Sequence, residues 1–287
     1  WDIMNEPLAG SKWGECLDWQ NRCPQVVAKL QQMHQKAGQA IRSVTDDGIV
    51  MYEPIALITL GAPALTGAPG VKNQALSYHL YCPFITLFNN QWICDQGFDD
   101  DLHKDSLAKA ARDGSAALMT EWGATNNLEI LTSTVDRAAR FMVGHQWWAY
   151  CACGDPTTID QTGQGLVEDP SKPLVGANLR QQKTDILATP HPRAIAGTPT
   201  KYGFNRKTGV FTLEYTVLRP AGTTEFPTGS LSVVAVPKAL FPNGYTATAS
   251  NARVLSAAGD PVLVLRQKAR PASTPAGVPM TIKLTVK

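Results

Sequence analysis

Apolar positions along the first two thirds of the chain follow two alternating rhythms. Segment 24–44 opens on Pro24 and carries Val26, Val27, Leu30, Met33, Ala37 and Ile41 at helical spacing. That spacing predicts a helix with one buried face. Residues 101–113 and 127–143 read the same way, and a last helix is expected over about 174–188. Between these lie short apolar runs: Gly48-Ile49-Val50-Met51-Tyr52-Glu53, Ala75-Leu76-Ser77-Tyr78-His79-Leu80-Tyr81, Ala116-Ala117-Leu118-Met119-Thr120-Glu121 and Gln146-Trp147-Trp148-Ala149-Tyr150. Each reads as a strand. Strands separated by helical patterns predict a parallel sheet in an α/β fold.

Near residue 190 the texture changes. Thr189-Pro190-His191-Pro192-Arg193 and Gly197-Thr198-Pro199 read as a linker. Short alternating segments follow: Val210 to Tyr215, Leu231 to Val236, Val262 to Leu265 and Met280 to Val286, with turn residues such as Pro242-Asn243-Gly244 between them. This pattern predicts a small β-sandwich. The expected division is 1–192 for the α/β part and 193–287 for the sandwich.

Composition narrows the function. The 287 residues carry 26 basic and 24 acidic side chains, a net charge of +2. That balance supplies no electrostatic footprint for nucleic acid. No apolar run is long enough to span a bilayer. The chain does not begin with Met, so a processed or truncated N-terminus is expected. Cys16/Cys23 and Cys82/Cys94 bracket short loops beyond strand ends and read as disulfides of an exported protein. Zinc is the rival reading, but His145 and the Cys151-Ala152-Cys153 pair alone make a poor ligand set. The pairing of Cys151 and Cys153 stays open, since a bridge between residues that close is strained. Nothing in the pattern calls for a metal or a cofactor.

The chemistry lies in two glutamate motifs set far apart. Trp1-Asp2-Ile3-Met4-Asn5-Glu6-Pro7 opens the chain, and Met119-Thr120-Glu121-Trp122-Gly123 comes much later. Each glutamate ends an apolar run and is followed closely by a chain-breaking Pro or Gly. Two carboxylates delivered from strand ends into one pocket are what retaining glycoside hydrolysis needs: one protonates the leaving oxygen, the other attacks the sugar. Asn5, Glu6, His79, Tyr81, Glu121 and Trp148 all fall at or near strand ends, where a (β/α)₈ barrel gathers its functional groups.

This set of motifs resembles glycoside hydrolase family 5. Asn-Glu-Pro would follow the fourth barrel strand, His-x-Tyr the sixth, Glu-Trp-Gly the seventh, and a Trp would stand on the eighth. The resemblance spans residues 1 to about 190. Within the family the chain looks most like the endoglycoceramidases, which release an intact glycan from the ceramide of a glycosphingolipid. The residues that carry this are Trp148-Ala149-Tyr150-Cys151, Asp155-Pro156-Thr157-Thr158, and Pro192 to Pro199 leading into the sandwich. The resemblance implies Glu6 as acid/base and Glu121 as nucleophile. It places Asn5 at the sugar 2-hydroxyl, Tyr81 as a donor to Glu121, His79 beside them, Trp148 as an apolar floor under the sugar, and Asp155 at the rim. The acid/base role calls for a raised pKa. The nucleophile must stay ionised, which a phenol hydrogen bond favours. Plain structural roles compete: a loop carboxylate, a hydrogen-bonded core histidine at His79, and packing for whichever of Trp147 and Trp148 faces away.

The resemblance also implies that strands one to three of the barrel are not in this chain. An open half-barrel leaves unpaired edges, so the N-terminal half is expected as a second chain or a missing segment. Three function classes stand beside one another: an endoglycoceramidase-like hydrolase, a β-glucanase or β-mannanase acting on soluble polysaccharide, and a non-catalytic glycan-binding module. Pro83-Phe84-Ile85-Thr86-Leu87-Phe88 and Trp92-Ile93 are unusually apolar for a barrel mouth. They suit a lipid tail or peripheral membrane contact, or else packing under a neighbouring domain. The cysteines place the protein outside the cell.

Overall fold

The computed structural model describes residues 1–18, 22–81, 92, 94–154, 164–220, 222–275 and 277–287. These fall into two compact units: residues 1–124 with 143–165, and residues 125–142 with 166–287.

The first unit is built on a parallel sheet. Its strands β1 (Val50–Tyr52), β2 (Gln74–Leu80), β3 (Ala116–Trp122) and β4 (Gly144–His145) lie side by side in chain order. Trp1 to Ile3 extend the sheet beyond β1. Asp2 pairs in parallel with Met51, Met51 N–H donates to Trp1 O at 2.7 Å, and Ile3 N–H donates to Met51 O at 3.2 Å. At the other edge the pairing resumes at Trp148, opposite Gly123. The segments predicted as strands thus line up in sequence order. The run predicted over 146–150 pairs only in part, at 144–145 and again at Trp148.

Helices α1 (Trp13–Leu17), α2 (Pro24–Arg42) and α3 (Asp99–Arg112) belong to the same unit. Pro24 starts α2 where its missing N–H costs nothing. Leu30, His34 and Gly38 form its buried stripe at i, i+4, i+8. A Cβ at Gly38 would meet Pro69 at 2.8 Å, so glycine is what lets the helix approach this closely. Helix α3 has Asp99, Asp100 and Asp101 in its first turn and Lys109 and Arg112 in its last, charges that suit the helix dipole at both ends.

The second unit holds α4 (Leu128–Phe141), capped by Asn127, whose Oδ1 accepts the N–H groups of Glu129 and Ile130. The helix predicted over 174–188 is shorter. Only Gln181–Leu187 is α-helical (α5), preceded by a single 3₁₀ turn at Gly176–Asn178. The left-handed Gly176 (φ +57°) keeps the helix from running through this segment.

The remaining strands are β5 (His191–Ala194), β6 (Thr198–Asn205), β7 (Val210–Thr216), β8 (Leu231–Ala235), β9 (Ala247–Ser250), β10 (Ala252–Val254), β11 (Val262–Gln267) and β12 (Thr281–Val286). They form two antiparallel sheets, ordered β10-β11-β8-β5 and β6-β7-β12-β9. The residues expected to be linker are two of these strands. Both β5 and β6 lie at sheet edges, and each shows a shift of register at its proline: between Pro192 and Ala194, and between Pro199 and Lys201. Edge positions and bulges are where a sheet tolerates proline. The core alternates along each strand. Phe211, Leu213 and Tyr215 of β7 are buried with Leu263, Leu265, Ile282, Leu284 and Val286. Tyr215 keeps its hydroxyl satisfied by donating to Ser232 Oγ at 3.0 Å.

Cys16 is bonded to Cys23, as the spacing predicted, and Cys151 to Cys153, the pairing the sequence left open. Cys94 is also disulfide-bonded; Cys82, its expected partner, lies outside the described residues. The disulfide reading therefore replaces the zinc one for these cysteines.

Phe211→Ala is expected to cost about 3–5 kcal/mol of stability, because it leaves a cavity in the sandwich core. Thr212→Ala, one residue on and exposed, is expected to change stability by less than about 0.5 kcal/mol. Denaturant unfolding of the two variants against the parent checks the pair.

Candidate functional site

Successive parallel strands each end on a polar group that points to one place. Glu6 follows the Trp1–Ile3 segment, Glu53 follows β1, His79 lies near the end of β2 with Tyr81 just past it, and Glu121 lies on β3. A shift of register on β2 and β3 sets their alignment. Tyr78 pairs with Met119 but His79 pairs with Glu121, so Thr120 is the extra residue of a bulge. Bulges re-aim side chains, and this one brings His79 level with Glu121. Below it, Ser77 Oγ lies 2.5 Å from Thr120 Oγ1 and donates to Asp2 Oδ2 at 3.0 Å, a polar rung under the site.

His79 is the hub. Its ring is 2 % exposed. Nδ1 lies 2.8 Å from Glu6 Oε1 and 3.4 Å from Glu121 Oε2, and Nε2 lies 2.9 Å from Glu53 Oε1. Tyr81 donates its hydroxyl to Glu121 Oε2 at 3.1 Å, the bond expected from the sequence. Its ring stands edge-on to His79. The Glu6 and Glu121 oxygens lie within 4.8 Å of each other and of a His79 nitrogen.

These contacts set the protonation of the group. Burial drives the imidazole toward its neutral form, but hydrogen bonds to Glu53 and Glu6 and the charges of Glu53 and Glu121 outweigh it, and the His79 pKa rises to about 10. Its hydrogen bond to the imidazolium holds Glu6 below the ordinary carboxylate range, against its partial burial. Burial pushes Glu121 up, opposed by the His79 charge and the Tyr81 hydroxyl. Burial likewise pushes Glu53 up and, with the Glu121 charge, lifts the Tyr81 phenol, which therefore stays a donor. The raised pKa expected at Glu6 is thus not found in the resting site. The cause is His79, which carries the proton that the sequence reading assigned to Glu6.

Glu6, His79 and Glu121 are close enough to share a metal ion. Both His79 nitrogens face carboxylates, and hydrogen bonds among these side chains hold the cluster together.

The aromatic residues sort onto two faces of β3. Trp122, next to Glu121, is buried and donates Nε1–H to His145 Nδ1 at 3.1 Å. Its ring meets that of Trp147 edge-on at 5.2 Å. Gly123 (φ +109°) makes room for this contact, since a Cβ there would lie 2.3 Å from the Trp147 ring. Trp147 is thus the packing residue. Strand alternation leaves Trp148, half-buried, on the Glu121 side, and the Trp148–Ala149 peptide is cis. Asn5 is exposed beside Glu6, and its side chain makes no hydrogen bond among the described residues. Asp155 lies outside the described residues.

Glu53 is the member that the sequence reading missed. The signal was present: Glu53-Pro54 ends a strand as Glu6-Pro7 does.

Residues 1–154 match the cellulase family, glycosyl hydrolase family 5, and residues 190–282 match the glycoside hydrolase family 5 C-terminal domain. The chain belongs to glycoside hydrolase family 5. A search of curated proteins finds no match. Among solved structures, this family 5 chain is similar to endo-glycoceramidase II from Rhodococcus sp. in a cellobiose-like imidazole complex, at 22% identity and a TM-score of 0.70, over 100% of this chain and 58% of that one. Other structures of the Rhodococcus enzyme hold ganglioside GM3 or a lactosyl-enzyme intermediate. An endogalactoceramidase matches at 19% identity and a TM-score of 0.59, over 92% of this chain and 53% of that one. Sterylglucosidase 1 from Cryptococcus neoformans matches at 13% identity and 0.62, over 89% and 44%. The chain therefore spans less than two thirds of the length of each of these structures.

The His79 proton links the site to stability. The imidazole titrates near 6.5 when unfolded and at about 10 here. Its stabilisation is fully present below pH 6.5 and is lost as pH rises toward 10. Thermal unfolding of the parent and of His79→Gln across pH 6 to 10 is expected to show a gap in Tm that narrows as pH rises. A gap independent of pH counts against a charged His79.

Proposed function

We propose that the site hydrolyses the β-glycosidic bond between glycan and ceramide in glycosphingolipids, with retention. Glu121 attacks the anomeric carbon and forms a glycosyl ester. Glu6 passes a proton to the departing ceramide oxygen. Glu6 then takes a proton from water, which attacks the ester and frees both the glycan and Glu121. In this reading Asn5 contacts the sugar 2-hydroxyl, Tyr81 and His79 hold the carboxylates, Trp148 lies under the sugar, and Asp155 stands at the rim. Residues 1–192 carry the chemistry and residues 193–287 form the sandwich, a boundary supported by the C-terminal family match from residue 190.

The observation that carries the mechanism is the carboxylate spacing. Glu6 and Glu121 each place an oxygen within 4.8 Å of the other, which supports the retaining separation of about 5–5.5 Å. The ceramide part rests on likeness to the glycoceramidases and on the loops around the site. Leu8, Trp13 and Leu17 after Glu6, Leu60 after Glu53, and Trp92 after Tyr81 are large apolar side chains left exposed, which suits a lipid tail. The family match described as cellulase favours a second reading, a glucanase acting on soluble polysaccharide. The disulfides support an extracellular setting. No helix among the described residues is long and apolar enough to cross a membrane.

Glu121→Gln is expected to lower turnover of a ganglioside at least about 10³-fold while ganglioside binding persists. The unsubstituted protein is assayed on a panel of gangliosides, neutral glycosphingolipids, β-glucan and β-mannan. Release of intact glycan with ceramide supports the reading, and turnover confined to the polysaccharides replaces it with the second.

A further inference from the structure

Glu53 belongs to none of the motifs that marked the site, yet it grips two of its members. One oxygen faces His79 Nε2 at 2.9 Å. The other accepts the backbone N–H of Glu6 at 2.5 Å. The His79–Glu6 contact of 2.8 Å closes the ring. The Glu53 side chain is 3 % exposed against 40 % for Glu6, so Glu53 cannot reach a substrate.

We infer that Glu53 is the positioning residue for the acid/base: it holds a proton on His79 Nε2, turns Nδ1 toward the Glu6 carboxyl, and anchors the backbone of Glu6. The inference rests on the proposed role of Glu6. The chemistry follows from the imidazole. A neutral ring has one N–H and one lone pair, and which nitrogen carries the proton is set by what faces the other. An ionised Glu53 at Nε2 demands the proton there. One further proton then lies between Nδ1 and Glu6 Oε1. On Oε1 it makes Glu6 the acid of the first step. On Nδ1 it leaves Glu6 ionised, ready for the second. The backbone contact has its own purpose. Glu6 sits at φ +44°, a left-handed conformation that a glutamate adopts only when held.

The groups around His79 fix the sign of the pH effect. It is faced by the carboxylates of Glu53, Glu6 and Glu121 and by the Tyr81 ring, and Asp2 acts on Glu53 from behind. Each carboxylate favours keeping the shared proton. Removing the charge of Glu53 lets that proton leave at lower pH. Glutamine cannot substitute fully, because the His79 and Glu6 donors face different oxygens of Glu53 and one of them would meet the amide NH2 group instead.

The test compares Glu53→Gln and Glu53→Asp with the unsubstituted protein. In Glu53→Gln the descending limb of kcat/KM against pH is expected to move down by at least about one pH unit. Turnover of an aryl glycoside with a poor leaving group is expected to fall about 10²-fold, whereas a dinitrophenyl glycoside, which needs no proton to depart, is largely spared. Glu53→Asp keeps the charge and is expected to keep the limb in place while the rate falls. Equal losses on both substrates with an unmoved limb would overturn the inference. The His79 imidazole resonances of the unliganded protein decide the same point without turnover: their titration moves to lower pH in Glu53→Gln, and an unchanged titration overturns the inference. If Glu53→Gln does not fold, Glu53→Asp carries the test: losses concentrated on the poor leaving group, with the limb unmoved, support the inference, and equal losses overturn it. Glu6→Ala is the separate control. Failure of azide to restore its turnover of the dinitrophenyl glycoside removes the acid/base reading itself, and the His79 titration then still shows whether Glu53 governs the imidazole.

Discussion

One buried positive charge organises this site. The imidazolium of His79 has almost no contact with water, and a buried charge persists only when it is paired and hydrogen-bonded. Carboxylates from three different strand ends supply that pairing: Glu6, Glu53 and Glu121. Because each comes from its own strand, the charge also ties the strands together where the sheet gathers its functional groups. Removing any partner shifts the proton affinity of the others. The cluster therefore acts as a unit, and its residues are not independent contributors.

The opposite face of β3 performs a separate task. Glu121 and Trp122 are neighbours in sequence and point to opposite sides of the strand. Trp122 is locked by His145 and Trp147, and the contact exists because residue 123 has no side chain. A rigid apolar wedge behind the strand holds its polar face still. A nucleophile, the role proposed for Glu121, must be held to a fraction of an ångström to attack efficiently, and a hydrogen bond from Tyr81 alone does not fix a backbone. Packing behind and hydrogen bonding in front supply the two halves of that constraint.

The order of the parallel strands, the sandwich, and Glu6, His79, Tyr81 and Glu121 were all legible in the sequence, because each sits in a short run with its own local signature. What escaped was information that only tertiary pairing creates. His191–Ala194 and Thr198–Asn205 read as linker because Pro192 and Pro199 mark breaks, and nothing local reveals that both runs are sheet edges where a proline is harmless. The helix expected from residue 174 begins only at Gln181 because Gly176 adopts a left-handed turn. Glu53 was passed over although its Glu-Pro ending repeats that of Glu6. Its role depends on the far side of His79, and no spacing along the chain encodes that. The proton on His79 was invisible for the same reason: it follows from the sum of the carboxylates around the ring.

The low pKa of Glu6 in the resting site has a physical reading within the proposed double displacement. Acid and base are successive roles of one carboxyl, and they make opposite demands. In the first step Glu6 must hand over a proton; in the second it must be ionised to accept one from water. A carboxylate hydrogen-bonded to an imidazolium is already poised for the second. The first is served by proximity, since a proton on His79 Nδ1 lies one hydrogen bond from Glu6 Oε1. Formation of the glycosyl ester then removes the charge of Glu121 and with it one of the carboxylates that keep His79 protonated. The hold on the shared proton weakens at that stage. The cycle itself thus changes the proton affinity of the Glu6–His79 pair. For that reason the two glutamates need not be separated by fixed pKa values in the empty site. It is enough that one faces the sugar carbon beside a phenol and the other faces the leaving oxygen beside a histidine.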